Sequence, residues 1–281
     1  AMAELARAKG ASLRYGANVA EIRVDNGRAA GVRLDTGESL DADFVVTNSD
    51  AAALSSGQLG RGVTRAVPAT ARAERSLSAL TFTTQAYCSG MPLTRHNVFF
   101  CRDYPAEFTD IFNHRRLPRD PTIYICAQDR DDSGPADGAT AERLLFIINA
   151  PPDGDVRVFE QAEIDACKER AFALLARCGL DCRPDPASFK ATTPADFDRM
   201  FPGTGGALYG RASHGWRASF QRPAVKTRVP GLYLASGSAH PGPGVPMAAL
   251  SGRLAARELL RDLDSRARSR TTAMRGGTST R

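Results

Sequence analysis

The spacing of apolar positions changes several times along the chain, and each change predicts an element. Ala1–Gly10 is rich in helix formers and closes on glycine, as a helix C-terminus does. It has no N-cap residue and no Met at position 1, so it reads as the middle of a helix, and the chain is expected to be a fragment of a longer protein. Ala17–Val24, with Val19, Ile22 and Val24, predicts a strand. Asp25-Asn26-Gly27 is a turn signal, Ala29–Leu34 answers as the partner strand, and Asp35-Thr36-Gly37 turns again. The short apolar run Ala42–Thr47 suits a buried parallel strand, ended by Asn48-Ser49-Asp50. Residues 51–75 are mixed.

Strands are then predicted at Ala79–Ser89, His96–Phe100, Thr122–Ala127 and Leu144–Asn149, with a loop over Asp129–Gly138. Ile164, Cys167, Ala171, Leu174, Leu175 and Cys178 recur at helical spacing within Phe159–Cys178, and Gly179 stops that helix. Residues 192–223 are irregular and rich in glycine and aromatics. Gly231–Leu234 is a buried strand, the following turn holds three glycines and three prolines within Gly237–Pro246, and a helix runs Met247–Leu260. No internal repeat appears. The pattern predicts an α/β domain over 1–75, an antiparallel-sheet (α+β) insert over 76–195, a return to the first domain over 196–260, and a solvated, disordered basic tail over 261–281.

Charge sharpens that tail. The chain carries a formal +6, and residues 261–281 hold six Arg against Asp262 and Asp264. The remaining residues are near balance, which argues against a nucleic-acid-binding fold. No run of about 18 apolar residues occurs. The six cysteines show no Cys-x-x-Cys or Cys/His ligand spacing, so no metal site is expected and buried free thiols are.

The strand–turn–helix over 231–260 carries the chemistry. Glycine permits close approach of a ligand to the backbone. A helix opening straight after such a turn aims free N–H groups and a partial positive charge into the gap, where a phosphate or an electron-rich ring can sit. Ser251-Gly252 and Ala255-Ala256 fit close packing of that helix. No Ser/His/Asp order, paired acids or P-loop stands out, so no general base is nominated and the catalytic residues stay open.

These residues also carry a resemblance. Val19-x-x-Ile22, Gly31-Val32-Arg33-Leu34-x-x-Gly37, Ala42-Asp43-Phe44-Val45-Val46-Thr47-Asn48-x-Asp50 and Leu232-Tyr233-Leu234-x-x-Gly237-x-x-His240-Pro241-Gly242-x-Gly244-Val245-Pro246 resemble the bacterial carotenoid desaturases of the phytoene desaturase type, within the amine-oxidase-like flavoproteins. The likeness runs from Ala1 to about Leu260. His96-Asn97-Val98-Phe99-Phe100, Asp120–Tyr124 and Thr193–Phe197 extend it. Gly206–Gly210, Ser213-His214-Gly215, Ser219-Phe220 and Met247 are similar to desaturases acting on 1-hydroxylated or methoxylated carotenoids.

The resemblance implies a partial FAD-binding Rossmann-like domain with an antiparallel substrate domain. It implies FAD-dependent formation of the C3–C4 double bond of a 1-hydroxy- or methoxycarotenoid, with phytoene desaturation as the alternative. A flavin-free interaction module is the reading from another class. By resemblance the backbone near Val19 faces the adenine side of FAD, and Gly237 faces the pyrophosphate or ribityl chain. Gly244, Val245, Pro246 and Met247 face the isoalloxazine. His240 faces the ring or polyene end, or closes the turn structurally. His214, Trp216 and Phe220 line a tunnel for a long apolar substrate, or pack in an ordinary core. An apolar carotenoid implies peripheral membrane contact from the cytoplasmic side. The family's Gly-x-Gly-x-x-Gly fingerprint is absent from these residues, and it precedes the position of Ala1 in the family. The chain is therefore expected to be the C-terminal portion of such an enzyme, with FAD binding depending on the remainder.

Overall fold

A computed structural model of the chain describes residues 1–130, 140–212 and 221–275. They form two compact units: residues 1–69 with 223–281, and residues 70–222.

The first unit begins with α1 (Met2–Ala8), which buries no residue, and a three-stranded antiparallel sheet of β1 (Val19–Asp25), β2 (Arg28–Leu34) and β3 (Ser39–Asp41). Asn26 and Gly27 both take positive φ, the two-residue turn whose twist matches a hairpin. Gly31 is needed for close strand approach: a Cβ there would lie 2.1 Å from the Leu40 carbonyl oxygen. The chain continues through β4 (Val45–Thr47) into α2 (Ala51–Ser55), whose first turn is capped by Asp50 accepting from the Ala52 N–H at 2.8 Å.

The second unit is built on a six-stranded antiparallel sheet. Its strands are β5 (Ser78–Gly90), β6 (His96–Phe99), β7 (Ile123–Ala127), β8 (Glu142–Ala150), β9 (Leu180–Pro184) and β10 (Lys190–Thr192). Their order is β10-β5-β8-β7-β6, and β9 also pairs with β5. A short helix α3 (Tyr104–Phe108) runs into a π-helical turn over Thr109–Asn113 between β6 and β7. Alternation is clean in β7 and β8, while β5 is buried on both faces over Ser78–Phe82; Leu80, Phe82, Ile123, Ile125, Leu144, Phe146 and Ile148 are buried on one face. There they pack with Ile164, Cys167, Ala171, Leu174 and Leu175 of α4 (Gln161–Arg177), the stripe read from helical spacing. Helix α5 (Pro194–Met200) follows, capped by Thr193.

The chain returns to the first unit by β11 (Leu232–Leu234), which pairs in parallel with β4, and by α6 (Val245–Arg275). Tyr233 is fully buried and donates its hydroxyl to Asp262 of α6 at 2.6 Å, while Lys226 pairs with the same carboxylate at 2.7 Å. Burial, then the neighbouring Asp262, pushes the Tyr233 phenol up; Lys226 and the phenol hold the Asp262 carboxyl below its ordinary value.

Three expectations are corrected. Residues 196–212, assigned from sequence to the first domain, fall in the second unit. Backbone bonds from Ser76 N to Gly210 O, Leu208 N to Leu77 O and Ala212 N to Glu74 O hold them there. The tail is helical as far as Arg275, because helix formers continue with no glycine or proline before Gly276. The cysteines are not all free. Cys88 and Cys182 stand directly opposite each other on β5 and β9, with Cα atoms 4.5 Å apart, and form a disulfide. Cys101 and Cys167 remain buried thiols, and burial pushes the Cys167 thiol up to about 11.

Candidate functional site

Parallel pairing of β4 and β11 brings two strand-to-helix connections side by side at the carboxyl ends of the strands. In open α/β sheets that is where ligands bind. The connection after β11 is braced against the one after β4. Ala235 N donates to Thr47 O at 2.9 Å, and the Asn48 side-chain amide donates to Ala235 O. Ser238 Oγ, buried, accepts from the Ala51 N–H at 2.8 Å and lies 3.1 Å from Ser236 Oγ. Asn48 was read from sequence as a turn residue and as part of the resembling motif, but no bracing role was assigned to it or to Ser236 and Ser238. The Ser-x-Ser following a buried strand was the available signal.

Beyond this brace the turn opens. His240 is exposed, and its backbone N–H donates to Pro223 O at 2.8 Å. Its peptide bond to Pro241 is cis. Gly244 has φ of +100°, and nothing lies within 4 Å of where its Cβ would be. Ala248 N donates to Gly244 O, closing the first turn of α6. Val245 and Met247 offer N–H groups with no helical carbonyl behind them, and Pro246 suits this position because it has no N–H to lose. The first turn contains no acidic side chain to neutralise the helix terminus. Val245 is 85% exposed and Met247 42%, large apolar groups standing around those donors. Further along, Ser251 and Ala255 are fully buried, as close packing of that helix requires, whereas Ala256 is exposed and a Cβ at Gly252 would meet nothing within 4 Å, so those two do not take part in it.

The structure thus brings Gly244, Val245, Pro246 and Met247 together at one helix start. Gly237 lies half-buried within the braced turn, where a Cβ would meet only Pro243 Cα at 3.8 Å. Val19 is half-buried at the start of β1, beside a register shift in its pairing with β2. His214, Trp216 and Phe220 lie outside the described residues.

A flavin ring fits the α6 start on chemical grounds. Donors and a positive helix end suit the electron-rich edge of the ring, apolar side chains suit its faces, and Gly244 leaves the approach open. A pyrophosphate cradle of the Gly-x-Gly-x-x-Gly kind is not encoded in the chain.

The second unit carries a different surface. The sheet face opposite α4 presents Ile147, Tyr124 and Val98 in one cross-strand row and Leu145, Cys126 and His96 in the next. These side chains are half-buried or exposed, and Tyr124 Oη lies 2.7 Å from His96 Nδ1. This largely apolar face was not read from sequence, although the strands that build it were.

Comparison with known proteins agrees with this geometry. The profile of the family described as "Flavin containing amine oxidoreductase" matches residues 1–260. The chain is 55% identical to a hydroxyneurosporene desaturase of Rubrivivax gelatinosus over 100% of the chain and 53% of that protein. It is 46% identical to a hydroxyneurosporene desaturase of Cereibacter sphaeroides, over 95% of the chain and 53% of that protein. The chain therefore spans about half the length of the curated relatives it matches. An oxidoreductase from Methanosarcina mazei shares the fold, with a TM-score of 0.50 and 18% identity over 93% of this chain and 52% of that one.

Proposed function

The chain belongs to the flavin containing amine oxidoreductase family, and on that premise we propose that it is the later portion of an FAD-dependent carotenoid desaturase. Its reaction is formation of the C3–C4 double bond in a 1-hydroxy- or methoxycarotenoid. The observation that carries this reading is the open, braced turn leading into α6, in a chain 55% identical to a protein named for hydroxyneurosporene desaturation.

In this reading Val245 and Met247 supply backbone donors to the flavin ring, and their side chains shield its faces from water. Ser238 and Asn48 hold the turn at fixed depth against the start of α2. Gly237 gives the ribityl–pyrophosphate region close access to backbone. Val19 lends backbone contact on the adenine side. Bound flavin supplies the acceptor for a hydride equivalent from an unactivated C–C bond. Within the second unit, the sheet face of Val98, Leu145 and Ile147 is a largely apolar surface of the kind that suits a polyene.

The test is substrate conversion by the protein expressed with the in-frame coding sequence upstream of Ala1. A 1-hydroxycarotenoid and phytoene are supplied separately. The reading expects a new C3–C4 double bond in the hydroxycarotenoid. Conversion of phytoene alone contradicts the substrate assignment, and conversion of neither contradicts the activity.

A further inference from the structure

Edge strand β6 leaves its sheet into a run of aromatic residues spaced four apart: Phe100, Tyr104, Phe108 and Phe112. Their rings form a continuous ladder with centroid separations of 6.2, 4.9 and 6.2 Å. The ladder lies at the surface. Phe100 is 66% exposed, Tyr104 is 48% exposed, and the last two rings are half-buried. Val98, on β6 itself just before the ladder, is 50% exposed. Contiguous exposed aromatic area of this kind marks an interaction surface, since isolated apolar residues need no explanation and clusters do.

Both signs reach the surface around it: three arginines stand against Asp103 and against Asp120, whose side chain is 38% exposed and accepts from the Arg102 N–H at 2.8 Å. Glu107 and Asp110 are each 2% exposed, and Asp110 is held by Arg116 at 2.6 Å and Arg119 at 3.2 Å. The guanidiniums face outward: the Arg119 side chain is 69% exposed and that of Arg116 39%, and Arg102 is exposed beside Phe100. The exposed acid Asp103 is engaged in capping Ala106 N at 3.0 Å. Phenyl and phenol rings flanked by arginines match the boundary between acyl chains and anionic headgroups. No described helix is long and apolar enough to cross a membrane.

We propose that the Phe100–Phe112 ladder is a membrane-docking surface, which seats its rings at the acyl boundary of an anionic lipid bilayer while Arg102, Arg116 and Arg119 meet the headgroups. The proposal rests on the desaturase reading only for its purpose, because a carotenoid dissolved in a bilayer is reached most directly by an enzyme seated on that bilayer.

The experiment is vesicle co-sedimentation of the protein expressed with its in-frame upstream sequence. Phosphatidylcholine vesicles are compared with vesicles of phosphatidylcholine and phosphatidylglycerol at 3:1. Wild type is compared with a Phe100→Gln/Tyr104→Gln variant, in which only the two most exposed rings are replaced. The expected results are preference for the anionic vesicles, weakening of that preference by salt, and about tenfold or greater loss of partitioning in the variant. Equal partitioning of variant and wild type overturns the proposal. Protection of a Phe100→Cys thiol from maleimide in vesicle-free protein also overturns it, because polypeptide then covers the ladder. So does unchanged vesicle binding with lost turnover of detergent-dispersed carotenoid, which makes the ladder a substrate contact. Vesicle binding that responds as expected in a protein with no desaturase activity supports the surface while defeating the reading above.

Discussion

Replacing Ser238 by alanine tests whether the turn into α6 is held by the brace described above. The Ser238 hydroxyl is 5% exposed, accepts from the Ala51 N–H at 2.8 Å and contacts Ser236 Oγ at 3.1 Å. Ser238→Ala removes one oxygen, so the cavity term is small. The cost arises from the Ala51 N–H, which is left at the first position of α2 without its acceptor in a site closed to water. An orphaned buried donor costs about 1–3 kcal/mol. That corresponds to a fall in Tm of roughly 2–10 °C at the usual entropy of unfolding for chains of this size. Ser238→Thr keeps the acceptor and serves as the control. Denaturant unfolding followed by helix circular dichroism gives the free energy, and hydrogen exchange at Ala51 gives the locus. The reasoning predicts a loss in that range, with the Ala51 amide exchanging faster in the alanine variant alone. A cost below about 0.5 kcal/mol, or an unchanged Ala51 exchange rate, refutes it.

The remaining predictions concern the scaffold. Arg130 and Glu142 form a doubly hydrogen-bonded pair at 2.6 Å with side chains 5% and 2% exposed, so Glu142→Gln should cost about 3–5 kcal/mol in chemical unfolding. Arg130→Met/Glu142→Leu together should be near neutral, and a Glu142→Gln cost under 1 kcal/mol would count against the buried-charge account. Asp262 has a lowered folded pKa, so its stabilising contribution is full above the ordinary carboxylate value of about 4 and is lost as pH falls through the lowered value. Tyr233→Phe removes one of the groups that lower it, beside Lys226 and Arg28, and should shrink this acid-sensitive share of stability. An identical acid limb in both proteins would exclude the pairing as its source.

Much of the fold was legible because its signals are local. The Asn26-Gly27 hairpin, the α4 stripe and the strand–turn–helix over 231–260 each announce themselves within about 30 residues or fewer. The short strands β9 and β10 were missed because they are too brief to stand out: β9 alternates over only five residues and ends on Pro184, β10 has three residues, and pairing with β5 makes each a strand. The Cys88–Cys182 pairing depends on a register between residues 94 positions apart, which no spacing encodes. The second unit's return boundary shifted from 195 to 222 because an irregular segment is fixed by backbone bonds to Glu74–Leu77, which leave no trace in side-chain pattern. At the site, glycine and proline located the turn. The Ser-x-Ser that braces it was present as a pattern, but its bracing role was not legible, because a serine's partner is set by tertiary contact.

The central claim is that a flavin meets the first turn of α6, and Met247 offers the most direct probe. Its side chain is 42% exposed at the helix start, where an aspartate favours the helix terminus and should leave stability intact. The same carboxylate would repel negative charge on a reduced ring and crowd its polar edge. The measurement is FAD titration, by flavin fluorescence, of the protein expressed with its in-frame upstream sequence, with and without Met247→Asp. The account predicts stoichiometric binding by wild type and about tenfold or greater weakening in the folded variant, equivalent to about 1.4 kcal/mol. Equal affinity in the two proteins, or no binding by either, would contradict it.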